Sequence, residues 1–502
     1  MLRGFKFSKK LLLMLVMAML VTVFIACDNE GGSGTPVDDT PAVTNGNQNQ
    51  GDDTEEVAHD PYATGLPEAN FEGYVFRILN FDQASMWWSI VNIDAEELLG
   101  EPVNDAIYRR SRNIEERYNF EIRETQVAGG QVTNILRLSA AAGSDEHDIA
   151  FIDTRAFPTL ATQNALIDLH MVPHLNLNAP WWNPATQQYF TVENRLFTMT
   201  SDLTLTPAEN MVILMYNTTL ADSLGLSTAQ ELYALVDAGQ WTFDRFEALN
   251  RAAAADLTGT GVVDGDNDRF GITLVGWFYQ AMMIGFGETI TRPDADGIPE
   301  IATHTDRFMR AFYTMVTFMD QRDIVVREFV DSSRNTEYVF VEDRALFCAQ
   351  VLSVVRLYRH MDSDFALLPL PKLDENQAQY HTPTWWSTAL AIPMANPDLE
   401  RTGHILEALT AESRRLVRPA YFDVAIGMQY LRDEDSFRML DLMQATQTYD
   451  IALTIHDWGG FGSAFNSTAQ RGDTNFASLM ERFEGRILNG IESTIDAFRN
   501  IH

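Results

Sequence analysis

Lysine is nearly missing from this 502-residue chain: after residue 10 only Lys372 remains. Cations as a whole are scarce, 36 Lys and Arg against 70 Asp and Glu, and the formal net charge is -34. A surface of that sign excludes binding to nucleic acid or anionic lipid through bulk charge. The acidity itself reads as a solubility feature. Cysteine is scarcer still. Cys27 and Cys348 are the two present, and if Cys27 is spent on an anchor no intramolecular disulfide is available. Cys348 sits in the apolar run Ala345-Leu346-Phe347-Cys348-Ala349 and reads as an inert core thiol. Catalytic signatures are missing too. There is no Gly-x-Ser-x-Gly elbow, no phosphate-binding Gly-Lys loop and no His-Glu-x-x-His, and the ten His do not pair at ligand spacing. Paired carboxylates for a glycosidase can always be found among 70 acids, so their presence has no weight.

Long apolar runs are also absent, with one exception. Arg3, Lys6, Lys9 and Lys10 precede an apolar stretch from Leu11 to Ile25, followed by Ala26-Cys27. A basic region, an apolar region and a small residue at the cleavage point are the layout of an export signal. The stretch is short for a membrane span of roughly 20 residues. Phe24-Ile25-Ala26-Cys27 resembles a lipobox, departing at Phe24 where Leu is usual. The expectation is a signal peptide over 1–26 with Cys27 lipidated; the competing reading is a plain secretory signal with Cys27 incidental. Residues 27–67 are rich in Gly, Ser, Thr, Pro, Asn, Gln and Asp and cannot bury enough surface to offset their ordering entropy. A flexible coil of about 40 residues reaches roughly 35 Å, enough to tether a folded body to a membrane.

The body beyond the tether is too long for one ordinary core and suits two lobes. Tyr74 to Asn80 reads as a buried strand and Phe120 to Glu124 and Asp148 to Ile152 as two more. Between them lie a helix capped by Asn104 and running to about Tyr118, and a helix over about Val132 to Ala142. A β-α-β-α-β series implies a parallel sheet with crossover helices. Ligands of such sheets bind beyond the carboxyl ends of the strands, which points to Asp153 and the loop after Asn80. A second α/β unit follows: strands Val212 to Tyr216, Phe270 to Leu274, Ala345 to Cys348 and Leu390 to Ile392, with helices from Asn217 and from an N-cap at Thr242. The last hundred residues are largely helical: Asp398 to Ala411, Asp435 to Gln444, Leu479 to Phe498.

Three segments carry a resemblance. The first is Asp148-Ile149-Ala150-Phe151-Ile152-Asp153 with Ala165 to Leu169. The second runs from Met211 through Tyr216-Asn217 to Leu220, then Gly225-Leu226, Trp241-Thr242-Phe243-Asp244 and Phe270-Gly271. The third is Ala391-Ile392-Pro393, Asn396-Pro397-Asp398 and Leu406 to Leu409, with Arg432-Asp433-Glu434 and Met439-Leu440-Asp441 beyond. In this order and spacing the chain resembles bacterial extracellular solute-binding lipoproteins of carbohydrate-type ABC importers. The resemblance implies a two-lobed α/β, periplasmic-binding-protein-like fold with a hinge, a ligand cleft and a helical C-terminal region. It places lobe one at 68–207 plus 391–430 and lobe two at 211–387 plus 431–502, with crossings near Pro207-Ala208 and Ala389 to Ile392. It further implies closure on a solute, with a carbohydrate and a membrane permease as partners, in a monomer that is lipid-anchored outside the cell membrane or periplasmic. No cofactor is expected.

Sugar sites use aromatic faces for the ring and carboxylates, amides and Arg for the hydroxyls. The ligand-binding candidates are therefore Trp88, Trp277, Trp385, Trp386 and Trp458, with Asp153 at the strand end, Glu209 beside Asn210 at the first crossing, and Gln350 after the Cys348 strand. Trp181-Trp182 is a further pair in a Pro-flanked segment. Each tryptophan has the alternative of plain core packing. Side chains alternate along an extended segment, so one of two adjacent Trp facing core and the other the cleft is the expectation, with Trp386 and Trp88 in the cleft. Asp256 to Asp268 resembles a calcium loop, with Asp256, Asp264 and Asp268 as ligands, but Thr at its third and fifth positions and Asn267 in place of a bidentate Glu make it degenerate. It reads as a Gly-Asp turn or as a weak calcium site. Three functions stay open: a sugar receptor for an importer, the same fold binding a peptide or polyamine or feeding a sensor, and a surface-anchored glycan hydrolase.

Overall fold

The computed structural model describes residues 60–294, 297–327, 336–422, 434–455, 458 and 460–499. The signal peptide, Cys27, most of the tether, residues 423–430 of lobe one and Arg432-Asp433 lie outside the described residues. Among the described residues no helix is long and apolar enough to cross a membrane.

The first sheet grows from strand β1 (Tyr74–Phe81), whose second half is buried without interruption. Helix α1 (Pro102–Tyr118) follows, then β2 (Phe120–Val127), α2 (Gly129–Ala142) and β3 (Ile149–Asp153). β1 runs parallel to both β2 and β3, as two helical crossovers require. α1 opens on Pro102, whose fixed φ and missing N–H suit the first turn. Asn104 is thus inside the helix and does not cap it; its amide donates to the Glu97 carbonyl at 2.8 Å. Asn119 ends α1 and Gly143 ends α2, both in the left-handed conformation that closes helices.

After a short helix α3 (Thr206–Glu209) the chain enters a second sheet with β4 (Val212–Asn217), buried at every residue. Asn217 then caps the next turn by accepting from the Leu220 N–H at 2.7 Å. Helix α4 (Phe243–Ala253) begins after Thr242, but the Thr242 hydroxyl makes no cap bond; the Phe243 N–H is taken by the Lys372 carbonyl at 2.7 Å. α4 lies so close to β5 (Phe270–Leu274) that a Cβ on Gly271 would meet the Asn250 carbonyl oxygen at 2.5 Å. Only glycine permits that approach. β6 (Val325–Arg327), β7 (Ala345–Val351) and β8 (Phe365–Leu368) complete the sheet in the order β8-β4-β7-β5-β6. Strands buried at every residue, such as β4 and β7, belong inside a sheet covered on both faces.

The chain then returns. β9 (Thr388–Ala391) joins the first sheet antiparallel to β3, giving the order β9-β3-β1-β2. Asp398 caps α5 (Leu399–Pro419), which packs along α1. Helices α6 (Glu434–Ala445) and α7 (Phe476–Arg499) close the described chain. Each sheet has its own apolar core: Phe76, Ile78, Phe151, Ile405 and Leu409 around the first, Leu214, Met215, Trp241, Phe246 and Phe347 around the second. α7 begins in the second core with Phe476 and Leu479 and ends against the first, where the Phe498 ring meets Phe197 edge-on at 5.1 Å. The fold is a two-lobed, periplasmic-binding-protein-like α/β architecture.

Candidate functional site

Loops leaving the carboxyl ends of three strands converge on the second crossing. The loop after β1 carries Trp87 and Trp88, β3 ends in Asp153 with Arg155 two residues on, and β5 leads to Trp277. The crossing itself supplies Trp385 and Trp386, just before β9. Carboxyl ends are where open α/β sheets bind ligands, because loops there can diverge without disturbing the ladder.

The tryptophans form a row. Trp87, 64 % exposed, sets its ring edge-on to Trp88 at 5.7 Å. Trp88 lies 5.2 Å from Trp386, whose ring also meets the Phe81 ring edge-on at 6.3 Å. The Arg155 guanidinium sits over Trp386 at 5.2 Å and is held there by Asp153, 2.5 Å away. Trp385 turns the other way and stacks on Trp277 of lobe two, centroids 4.7 Å apart and planes 16° from parallel. The adjacent pair does diverge, but neither ring enters a core: one joins each lobe, and both are half-buried. Offset and edge-on spacings of this order are favourable for aromatic rings.

Asn210, next to Glu209 at the first crossing, fixes both pairs. Its side-chain oxygen accepts from Trp88 Nε1 at 3.1 Å, and its carbonyl accepts from the Trp385 N–H at 2.8 Å. Trp386 Nε1 is different: it is buried and has no hydrogen-bond partner among the described residues. An indole N–H in that position forgoes about 1–3 kcal/mol that an incoming acceptor can restore.

The remaining candidates sit elsewhere or serve the frame. Glu209 is fully buried; its Oε2 accepts from the Ile90 N–H at 2.6 Å and its Oε1 lies 3.6 Å from Arg356 Nη1. Burial pushes its carboxyl above the ordinary range, opposed by Arg356. Gln350 turns back on its own strand, accepting from the Val351 N–H at 3.0 Å. Trp458 is buried in the second core, so close to α7 that a Cβ on Gly490 would meet its ring. Trp181 and Trp182 are buried in the first core. In the loop read as a calcium candidate, the carboxylates are engaged with their own turn. Asp256 accepts from the Gly259 and Gly261 N–H groups, Asp264 from Asp266, and buried Asp268 from Leu257, Thr258 and Asp264. Backbone hydrogen bonds hold Asp256 below the ordinary carboxylate range. Among the described residues no three His, Cys, Asp or Glu converge on one point.

Two contributors went unread in the sequence, Arg155 and Arg356. Arg155 had a signal, lying two residues beyond the strand end at Asp153; Arg356 had none. A separate cavity of about 530 Å³, lined by Trp181, Trp182, Asp202, Arg414, Gln444 and Gln447 among others, contains none of Trp88, Trp277, Trp385 or Trp386.

At the level of sequence, no family profile and no curated protein matches this chain. Solved structures do match in fold. An ABC substrate-binding protein from Listeria monocytogenes in complex with cycloalternan aligns over 84 % of this chain and 99 % of its own, at 13 % identity and a TM-score of 0.53. A cyclic alpha-maltosyl-1,6-maltose binding protein from Arthrobacter globiformis aligns over 86 % and 99 %, at 14 % identity and 0.54. A sugar transporter protein from Rhizobium etli in an open conformation aligns over 86 % and 100 %, at 12 % identity and 0.55. The fold of this chain is therefore that of ABC-type solute-binding proteins.

Proposed function

We propose that this chain is the extracytoplasmic substrate-binding receptor of an ABC importer, and that it captures a sugar or oligosaccharide between its lobes. The observation that carries the reading is the tryptophan row with a buried donor, Trp386 Nε1, that has no partner among the described residues, at the junction of two lobes. Aromatic faces cover the apolar side of a pyranose, and an indole N–H takes a ring hydroxyl oxygen. The Listeria monocytogenes protein in complex with cycloalternan and the cyclic alpha-maltosyl-1,6-maltose binding protein, similar in fold, support the sugar class. Closure follows if ligand contacts both lobes at once, Trp88 and Trp386 on one side and Trp277 and Trp385 on the other. Delivery to a membrane permease, export, anchoring through Cys27 and a monomeric state belong to the same reading. Binding is favoured over hydrolysis because the carboxylates at the strand end and the first crossing are engaged: Asp153 with Arg155, and Glu209 with the Ile90 N–H and the charge of Arg356.

The test is a thermal-shift and calorimetry screen of monosaccharides, maltotetraose, cyclic glucans, peptides and polyamines. A ligand at 100 times its dissociation constant stabilises by about 2.7 kcal/mol. A stabilising sugar recovered unchanged is the expected result. A sugar that is consumed, or silence across sugars beside a peptide or polyamine hit, overturns it.

A further inference from the structure

The loop over 82–101 packs mainly with lobe one, its Met86, Val91 and Ile93 lying in the first core, while Ile90 and Ala95 touch the second. Lobe one holds it with charged side chains. The Glu124 carboxylate accepts from the Ile93 and Asp94 N–H groups at 3.0 and 3.1 Å. Fully buried Arg110 donates to the Ile93 carbonyl and to Ser413 Oγ. The crossing adds Glu209 on the Ile90 N–H and Asn210 on Ser89 Oγ.

Besides the Asn210 side chain at its indole, Trp88 has a second grip, on its main chain, from the other lobe. Arg356 stands on the 3-10 helix Leu352–His360 that leaves β7, among Val354, Val355 and Tyr358 of the second core. One arm of its guanidinium donates to the main-chain carbonyl of Trp88, and the other faces Glu209 Oε1 at 3.6 Å. A bond to a main-chain oxygen fixes where the indole stands without depending on what the indole does. The bond to the Trp88 carbonyl is a charge-assisted, directional hydrogen bond, and the Glu209 carboxylate orients the guanidinium by charge across a distance longer than a hydrogen bond. It is also a contact that must break when lobe two rotates away, because Arg356 moves with the second sheet while Trp88 moves with the first.

We propose that Arg356, oriented by Glu209, is a positioning residue that locks the Trp88 platform across the lobe boundary, so that Trp88 is presented to ligand only when the lobes are together. Stacking on Trp88 and lobe closure then become one event, and ligand dwell time is set by this lock. The affinity part rests on the receptor reading; the loop part does not.

The experiment has two arms in the full chain. In ligand-free protein, hydrogen exchange of the amides at 88–94 is measured for wild type and Arg356→Met. The expected result is at least tenfold faster exchange there, with β1 and β3 amides unchanged and a cooperative melt retained. In the second arm maltotetraose, or whichever screened sugar wild type binds, is used to measure rates. Arg356→Met is expected to raise Kd about tenfold through koff, Arg356→Lys to recover part of the loss, and Arg356→Met to add little in a Trp88→Ala background. If Arg356→Met does not fold, Glu209→Gln takes its place in both arms, with the same faster loop exchange expected. Unchanged loop exchange overturns the lock, as does a Kd effect of equal size with and without Trp88. If wild type binds no sugar, the receptor reading fails and the exchange arm still decides the lock.

Discussion

Two Trp-Trp dipeptides in this chain meet opposite fates. Trp181 and Trp182 are 3 % and 2 % exposed, and both indole N–H groups reach one carboxylate, Glu407, at 3.1 and 3.0 Å. Trp385 and Trp386 are half-buried at the lobe junction, and Trp386 Nε1 has no partner among the described residues. The rings are identical; what differs is whether the fold supplies an acceptor. A protein that buries two indoles for stability also buries the carboxylate that satisfies them. An aromatic pair lacking that acceptor, set among loops at the carboxyl ends of strands, is arranged for something that arrives from outside.

The comparison can be broken at its strongest point first. Glu407→Leu strands two buried donors, at about 1–3 kcal/mol each, so a combined loss of roughly 2–6 kcal/mol is expected. Chemical denaturation should show it, while the sugar Kd of the surviving folded protein stays within about twofold. A shifted Kd with unchanged stability would reverse the roles of the two pairs. Next in size is Trp386→Ala, which removes the ring facing Trp88 and Arg155. Losing an aromatic contact worth about 0.5–1.5 kcal/mol together with its area should weaken sugar binding by about 10- to 100-fold. The melt should remain cooperative; a lost cooperative transition would make Trp386 a core residue. Trp386→Phe separates ring from donor: with only a hydrogen bond of about 0.5–1.5 kcal/mol lost, Kd should rise by about 3- to 10-fold. Calorimetry giving wild-type affinity for the Phe variant would show that the indole N–H stays unused in the complex.

Much of the fold was legible because local pattern and burial agree. Tyr74 to Asn80 and Asp148 to Ile152 are largely apolar stretches of strand length, and both are strands of one sheet, paired parallel to each other. β6 and β8 escaped notice: three and four residues are too few for a period to show. Asn104 was read as a cap because its type favours that role, but Pro102 two residues earlier sets the helix start. The tryptophan row was half legible. Trp88, Trp277, Trp385 and Trp386 are named by their places after strands and at the crossing, and the structure brings these four together. What separates Trp181-Trp182 from them is an acceptor 225 residues away, which no local pattern displays. Arg356 was invisible for the same reason, since its partners Trp88 and Glu209 belong to distant segments joined only by the tertiary fold.

The smallest expected effect concerns the carboxylate that distinguishes the buried pair. Desolvation holds Glu407 above its ordinary value of 4.5, although the Trp181 and Trp182 indoles pull it down. The folded state therefore binds this proton more tightly than the unfolded chain. Stability contributed through this proton is fully present below about pH 4.5 and is lost as pH rises toward the folded value. Glu407→Gln keeps an oxygen acceptor and cannot titrate. The stability of wild type relative to Glu407→Gln, read from urea midpoints across this range, should therefore decrease as pH increases. A difference that grows with pH would mean that the ionised carboxylate is the better partner for the two indoles. The buried pair would then be held by charge, and the contrast with Trp386 would rest on electrostatics and not on the presence of an acceptor.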